Sequence, residues 1–162
     1  MSAIISECGQ YRYLLTRPGD CLADKGTAVF LMLNPSTADA ALDDPTIRRC
    51  RNFASAWGCN GIAVVNLYAL RATNPADLWQ HSDPVGPDND WRLRAIAREH
   101  TDIVCAWGAN AKPERVEAVT SILTAAGGRL WCLGTTKDGH PRHPLYVPGN
   151  QALQPWAPRV TP

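Results

Sequence analysis

The sequence contains no apolar run near the roughly 18 residues needed to cross a bilayer, so no membrane span is predicted. Its first residues, MSAIISECGQYRY, lack a basic region followed by an apolar stretch. A secretory leader is therefore not expected, and a cytoplasmic location is. No C-x-x-C pair occurs among the six cysteines, Cys8, Cys21, Cys50, Cys59, Cys105 and Cys132. A structural zinc or iron–sulfur centre normally needs such spacing, so reduced thiols are expected, with no metal and no cofactor. An excess of charge of one sign is missing too. The formal net charge is +1, whereas proteins that hold DNA by phosphate neutralisation usually carry more positive charge, at least locally. The densest basic cluster is Arg48, Arg49 and Arg51.

What is present fits one domain, 1–162, large enough to bury a core. Four apolar segments of strand length are spaced along it: AVFLML (28–33), GIAVVNL (61–67), DIVCAW (102–107) and RLWCL (129–133). Their near-continuous hydrophobicity suits strands buried on both faces. Between them lie helical patterns at 46–57, 91–100 and 114–125. The first places Ile47, Cys50, Phe53, Ala54 and Trp57 on one face, and the last ends at Gly127-Gly128. The order β-α-β-α-β-α-β predicts a three-layer α/β/α sandwich around a central, mainly parallel sheet of four to five strands. A short strand at 11–15 is expected at an edge. The proline-rich tail, about 148–162, is expected to wrap the surface without regular structure.

Ligands of open parallel sheets bind at the carboxyl ends of the strands. Polar residues collect there. Asn34 ends the first strand, Asn66 the second and Trp107-Gly108 the third, while 134–143 follows the fourth. In LMLNPSTADAALDDPTIRRC (31–50), Asn34-Pro35 makes a sharp strand exit, since the residue before proline is held extended. Asn34 then projects at the rim, joined by Ser36 and Thr37 and by nearby backbone N–H groups that can form an anion nest. Asp44 reads as an N-cap with Pro45 at the first helical position. Asn66 interrupts an apolar strand, so its amide either braces a neighbouring loop or reads a ligand. Arg71 and Thr73 lie in the long 66–88 stretch, where phosphate contact and plain solvation are both open. Trp107 suits packing. Asn110 and Lys112 suit a helix start. In LGTTKDGHPRHPLYVP (133–148), His140 and His143 flank Pro141-Arg142 in a proline-stiffened loop. Imidazole there can donate to a developing anion, and metal binding lacks a third ligand at recognisable spacing.

Two resemblances rest on these motifs. YRY, LMLNPSTAD, DDPTIRRC, VVNLYALRAT, AWG and HPRHPLYV together resemble a bacterial and phage family described only as a domain of unknown function. At a greater distance, the order of signals is similar to the uracil-DNA glycosylase superfamily. LMLNPSTA followed by DPTIRRC resembles its Gly-x-Asn-Pro-Gly strand exit and following helix, CAWGANAKPE resembles its Leu-Trp-Gly strand end, and HPRHPL resembles its His-Pro-Ser-Pro-Leu loop. The sequence departs from that pattern in having Leu33 before Asn34 and a last loop longer by one residue.

That resemblance implies a uracil-DNA-glycosylase-like fold and a DNA glycosylase-like hydrolase acting on a damaged or modified base flipped out of DNA. Asn34 would position the attacking water, with Asp39 or Asp43 supplying a carboxylate, and Asn66 would hydrogen-bond the base edge. His143 or His140 would stabilise the departing base. Tyr68 and Phe53 are the candidates for stacking. Arg48 and Arg49 would touch phosphates, and Arg142 sits in the 141–146 segment that would wedge into the duplex. The partner would be single- or double-stranded DNA. A free-nucleotide enzyme and a non-catalytic base-binding module remain alternatives.

Overall fold

The four apolar runs become the centre of the sheet in the computed structural model, which describes residues 1–36 and 41–159. They form β3 (Thr27–Met32), β4 (Gly61–Asn66), β5 (Asp102–Cys105) and β6 (Arg129–Cys132). All three pairings among them, in the order β4-β3-β5-β6, are parallel. The preceding chain adds β1 (Ser2–Ile5) and β2 (Arg12–Pro18), and the tail adds β7 (Gln154–Pro155). The helices are α1 (Pro45–Ala56), α2 (Asn89–Glu99) and α3 (Pro113–Ala125), with 3₁₀ turns at Pro75–Gln80 and Pro144–Tyr146.

The expectation of a mainly parallel sheet of four to five strands is corrected. Among the described residues the sheet has seven strands in the order β1-β2-β4-β3-β5-β6-β7 and is mixed. β1 with β2, β2 with β4 and β6 with β7 are antiparallel. The reason lies in the connections. A parallel neighbour needs a crossover of a dozen or more residues, whereas only a short turn separates β1 from β2. The strand expected at an edge is β2, and it lies inside, covered by β1. The tail also carries regular structure, because β7 pairs along β6.

Strand residues alternate between two cores, as period-2 geometry requires. Val29, Leu31, Val65, Ile103 and Cys105 join Leu93, Ile96, Val119 and Leu123 of α2 and α3. Phe30, Val64 and Val104 join Ile47, Cys50 and Phe53 of α1. Helices thus cover both faces. α1 starts where the sequence predicts, with the Asp44 carboxylate accepting from the Ile47 N–H at 2.8 Å and Pro45 next in line. α3 ends as Gly127 adopts φ +95° and the Gly128 N–H reaches the Leu123 carbonyl at 2.8 Å.

A local irregularity in β2 matters for function. Ile4 pairs with Leu14 but Ile5 pairs with Arg12, so one extra residue is accommodated beside Tyr13. Such a bulge reverses which face the following side chains occupy. It turns Arg12 inward, where it is 2% exposed.

Candidate functional site

A cavity of about 540 Å³ opens at the carboxyl ends of the parallel strands. Its apolar lining comes from Met32, Val64 and Ile47. Its polar lining includes Arg12, Asn34, Asp44, Asn66 and His143. Five separate parts of the chain therefore meet at one rim, four of them at the strand ends where the sequence places its polar residues.

Asn66 is the most informative of these. It pairs in register with Met32 across β3 and β4, and it shares the face of Val64, two residues earlier. Both of those neighbours line the cavity, so the Asn66 amide lies on the cavity side of the sheet. The residue is 1% exposed, and among the described residues neither its Oδ1 nor its Nδ2 has a hydrogen-bond partner. A buried amide left in that state costs about 1–3 kcal/mol for each polar group. Among the described residues, the Asn66 amide braces no loop.

Asn34 does the bracing instead. Its Nδ2 donates to the Ala72 carbonyl at 2.8 Å and the Pro35 carbonyl at 3.0 Å, while the Ala72 N–H returns to Pro35 at 3.0 Å. This ties the strand exit to the start of the 66–88 stretch. Asn34 lines the cavity as well, with its Oδ1 unengaged among the described residues.

His143 caps the 3₁₀ turn Pro144–Tyr146 by accepting the Leu145 N–H on Nδ1 at 3.2 Å. A backbone N–H can only donate, so Nδ1 carries a lone pair and the neutral ring bears its proton on Nε2. The ring is thereby set as a donor. Burial lowers its pKa, an effect that the nearby Asp44 charge opposes without cancelling. An NMR titration of the protein should place the His143 midpoint below the ordinary value of about 6.5. A midpoint above that value would mean an imidazolium, and the assigned tautomer would be wrong.

The loop carrying His143 is held at several points. The Gly108 N–H donates to the Pro141 carbonyl at 2.9 Å, with Gly108 at φ +79°. Arg49 donates from Nε to the Pro144 carbonyl at 3.2 Å and from its terminal nitrogen to the Val147 carbonyl. Its guanidinium also lies 5.5 Å from the centre of the Phe53 ring. Arg49 is thus a clamp between α1 and this loop. Beyond the clamp, Leu145 and Tyr146 also line the cavity and stand exposed, Tyr146 at 77%.

Asp44 presents the carboxylate of the site. One oxygen caps α1, and the other accepts the Ser36 hydroxyl at 2.6 Å. Arg12 faces the same cavity, its pKa lowered to about 10 by burial, partly offset by the charge of Asp44. Nothing local marks this arginine, because plain alternation puts residue 12 opposite Tyr11 and Tyr13. Only the bulge brings it in.

Other expected site residues lie elsewhere. Asp43 is bound to Arg17 at 2.6 Å and to Arg51 at 2.7 Å, and it lines a separate cavity together with Arg48. Tyr68 packs against Trp79, its hydroxyl accepting the Lys112 N–H at 3.2 Å. Phe53 is buried against Trp57. Arg71 reaches the Gly9 carbonyl at 3.3 Å. Pro35 is buried behind Asn34. His140 makes backbone bonds to Thr136 and does not line the cavity, so of the two histidines it is His143 that the site contains. Ser36, Trp107 and Arg142 do line it, as does Asn110, which the sequence suggested only as a helix start. Thr37 and Asp39 lie outside the described residues.

Among the described residues, no group of three or more His, Cys, Asp or Glu side chains is placed to hold a metal. No helix among them is long and apolar enough to cross a membrane. All six cysteines are free thiols.

Residues 12–145 match the profile of a family described as protein of unknown function (DUF1643), and the chain belongs to that family. No curated protein and no solved structure matches the chain.

Proposed function

We propose that this member of the DUF1643 family is a DNA glycosylase-like hydrolase that receives a flipped nucleobase in the cavity at the strand ends. The observation that carries the proposal is Asn66. Its amide offers a donor and an acceptor side by side, buried and unpartnered among the described residues, and the edge of a nucleobase presents the complementary pair. The order of the sequence motifs resembles that of the uracil-DNA glycosylase superfamily, which supports the same reading.

In the proposed reaction a water oxygen attacks C1′ of the sugar while the C1′–N bond breaks and its electron pair leaves with the base. The Nε2–H of His143 hydrogen-bonds the departing base as negative charge develops. Asn34 Oδ1 orients the water, and Asp44 takes its proton. Asp44 replaces Asp43 in this role, since Asp43 is tied to Arg17 and Arg51. The base anion is protonated by solvent after release. Leu145 and Tyr146 fill the gap left in the stack. Phosphate contacts fall to Arg142, which lines the cavity, because Arg49 is engaged in the clamp on this loop and Arg48 lines the separate cavity with Asp43.

The same engagement favours a second substrate class, the free nucleoside or nucleotide, which needs no extended basic surface. The two are separated by exposing single-stranded oligonucleotides, duplexes and free nucleosides carrying uracil, hydroxymethyluracil, hypoxanthine or glucosylated cytosine to the protein. Release of base from the polymer supports the first reading, and release from nucleosides alone supports the second. His143→Ala should lower either activity about 100–1000-fold. Binding without release of any base would reject hydrolysis.

A further inference from the structure

The end of β4 is held in an unusual way. Its ladder with β2 stops at Leu15 and Val64, while the ladder with β3 runs on to Met32 and Asn66, and the Leu67 N–H then reaches the Met32 carbonyl at 2.9 Å. The carbonyls of Asn66 and Leu67 find two side chains in place of the missing strand. Asn89, at the first turn of α2, donates its Nδ2 to Asn66 O at 3.0 Å and to Leu67 O at 3.1 Å. Arg115, from α3, donates its Nε to Leu67 O at 2.8 Å. Its terminal nitrogen is oriented by Asp90 at 2.7 Å, which links the two helices.

Both side chains are buried, Asn89 completely and Arg115 at 8% exposure. Among the described residues the Oδ1 of Asn89 has no partner, so its hydrogen bonding is directed at these two carbonyls. Burying such groups is unfavourable unless they satisfy something. What they satisfy is the backbone directly beneath Asn66. An amide with no hydrogen bonds of its own cannot be aimed by its partners. It has to be aimed by its backbone, and a turn of the 66–67 peptide would swing it out of line.

We infer that Asn89 and Arg115 are positioning residues, which reach through the α2/α3 layer to fix the strand end that presents the Asn66 amide to the cavity. The functional meaning of this clamp rests on the proposed base-reading role of Asn66. The clamp itself does not.

The first arm of the test is therefore independent of activity. In the ¹⁵N-labelled full chain, the side-chain amide signals of Asn66 are identified by their loss in Asn66→Ala. Asn89→Ala should move or broaden those signals while leaving the Asn34 amide pair, anchored to Ala72, in place. Unchanged Asn66 signals in a folded Asn89→Ala protein would overturn the inference. Should Asn89→Ala fail to fold, Arg115→Lys supplies the same readout, since it keeps the charge beside Asp90 and loses the Nε donor to Leu67.

The second arm is a double-mutant cycle on base release. Asn89→Ala should lower release by up to about 100-fold, as misplacement by an ångström can, and should cause no further loss when added to Asn66→Ala. A further loss in the double variant would make Asn89 merely structural. If the wild-type protein releases no base at all, the proposed reaction falls, and the amide signals alone decide the role of Asn89.

Discussion

Asn66→Leu is expected to stabilise the protein and to cut the proposed base release steeply. Leucine has the same branched four-heavy-atom side chain as asparagine and carries no polar atoms. In a site where both amide atoms are buried without partners among the described residues, it removes a penalty of about 1–3 kcal/mol for each of them. Equilibrium unfolding in urea should show the midpoint rising. Base release should fall by about 100–1000-fold, the usual loss on removing one preorganised donor from a reacting site. The combination is diagnostic. An asparagine that served the fold would lose stability when replaced, and a residue irrelevant to both would change neither. Trading stability for a site that awaits its ligand is the expected signature of a functional residue.

The second large effect concerns Asp43. Replacing it with alanine removes the carboxylate that the wholly buried Arg17 side chain holds at 2.6 Å and that Arg51 holds at 2.7 Å. Breaking a buried pair from one side costs about 3–5 kcal/mol. For a chain of this length that lowers the melting temperature by on the order of 10 °C. The double replacement Arg17→Met with Asp43→Leu should recover much of the loss, because the charge and its partner then leave together. A loss below about 1 kcal/mol for Asp43→Ala would show that water reaches Arg17. The pair also gives a sign for pH dependence. Burial works to raise the Asp43 pKa, but the hydrogen bonds from Arg17 and Arg51 outweigh it and hold the carboxyl below its ordinary range. The folded value thus lies below the unfolded one of about 3.9. Its contribution is present above that pH and is lost as the pH falls through the lower, folded value.

The central strands were legible because burial on both faces leaves an unmistakable apolar run, and α1 because Asp44-Pro45 is a strong start signal. β1 and β7 were not. SAII and QP are too short to show a period, and each owes its pairing to a neighbour far along the chain. Likewise, which of two adjacent aspartates faces the cavity follows from where α1 begins. Asp44 caps the helix and stays at the rim, so Asp43 is directed toward Arg17. The choice between His140 and His143 depends on the bond from Gly108 to Pro141, made by a residue more than thirty positions away.

The two asparagines illustrate the limit best. Each ends an apolar strand, and nothing local distinguishes the one that braces a loop from the one left open. Asn34 meets the Ala72 carbonyl only once β3 and β4 are paired. Among the described residues Asn66 stays unpartnered because Asn89 and Arg115 satisfy the backbone carbonyls at its strand end, not its side chain. Arg12 enters the site through the bulge in β2. Polar placement at the rim was readable from strand order, whereas the division of roles among those residues was fixed by contacts across the fold.

The most direct test of the base-reading cavity is to count abasic sites in oligonucleotides of the modified-base panel after exposure to wild type and to Asn66→Leu. The expected result is release of one base by the wild-type protein and loss of that release in a variant that is folded and at least as stable. Equal release by both proteins would contradict the role given to Asn66, and with it the identification of this cavity as the site where a base is read.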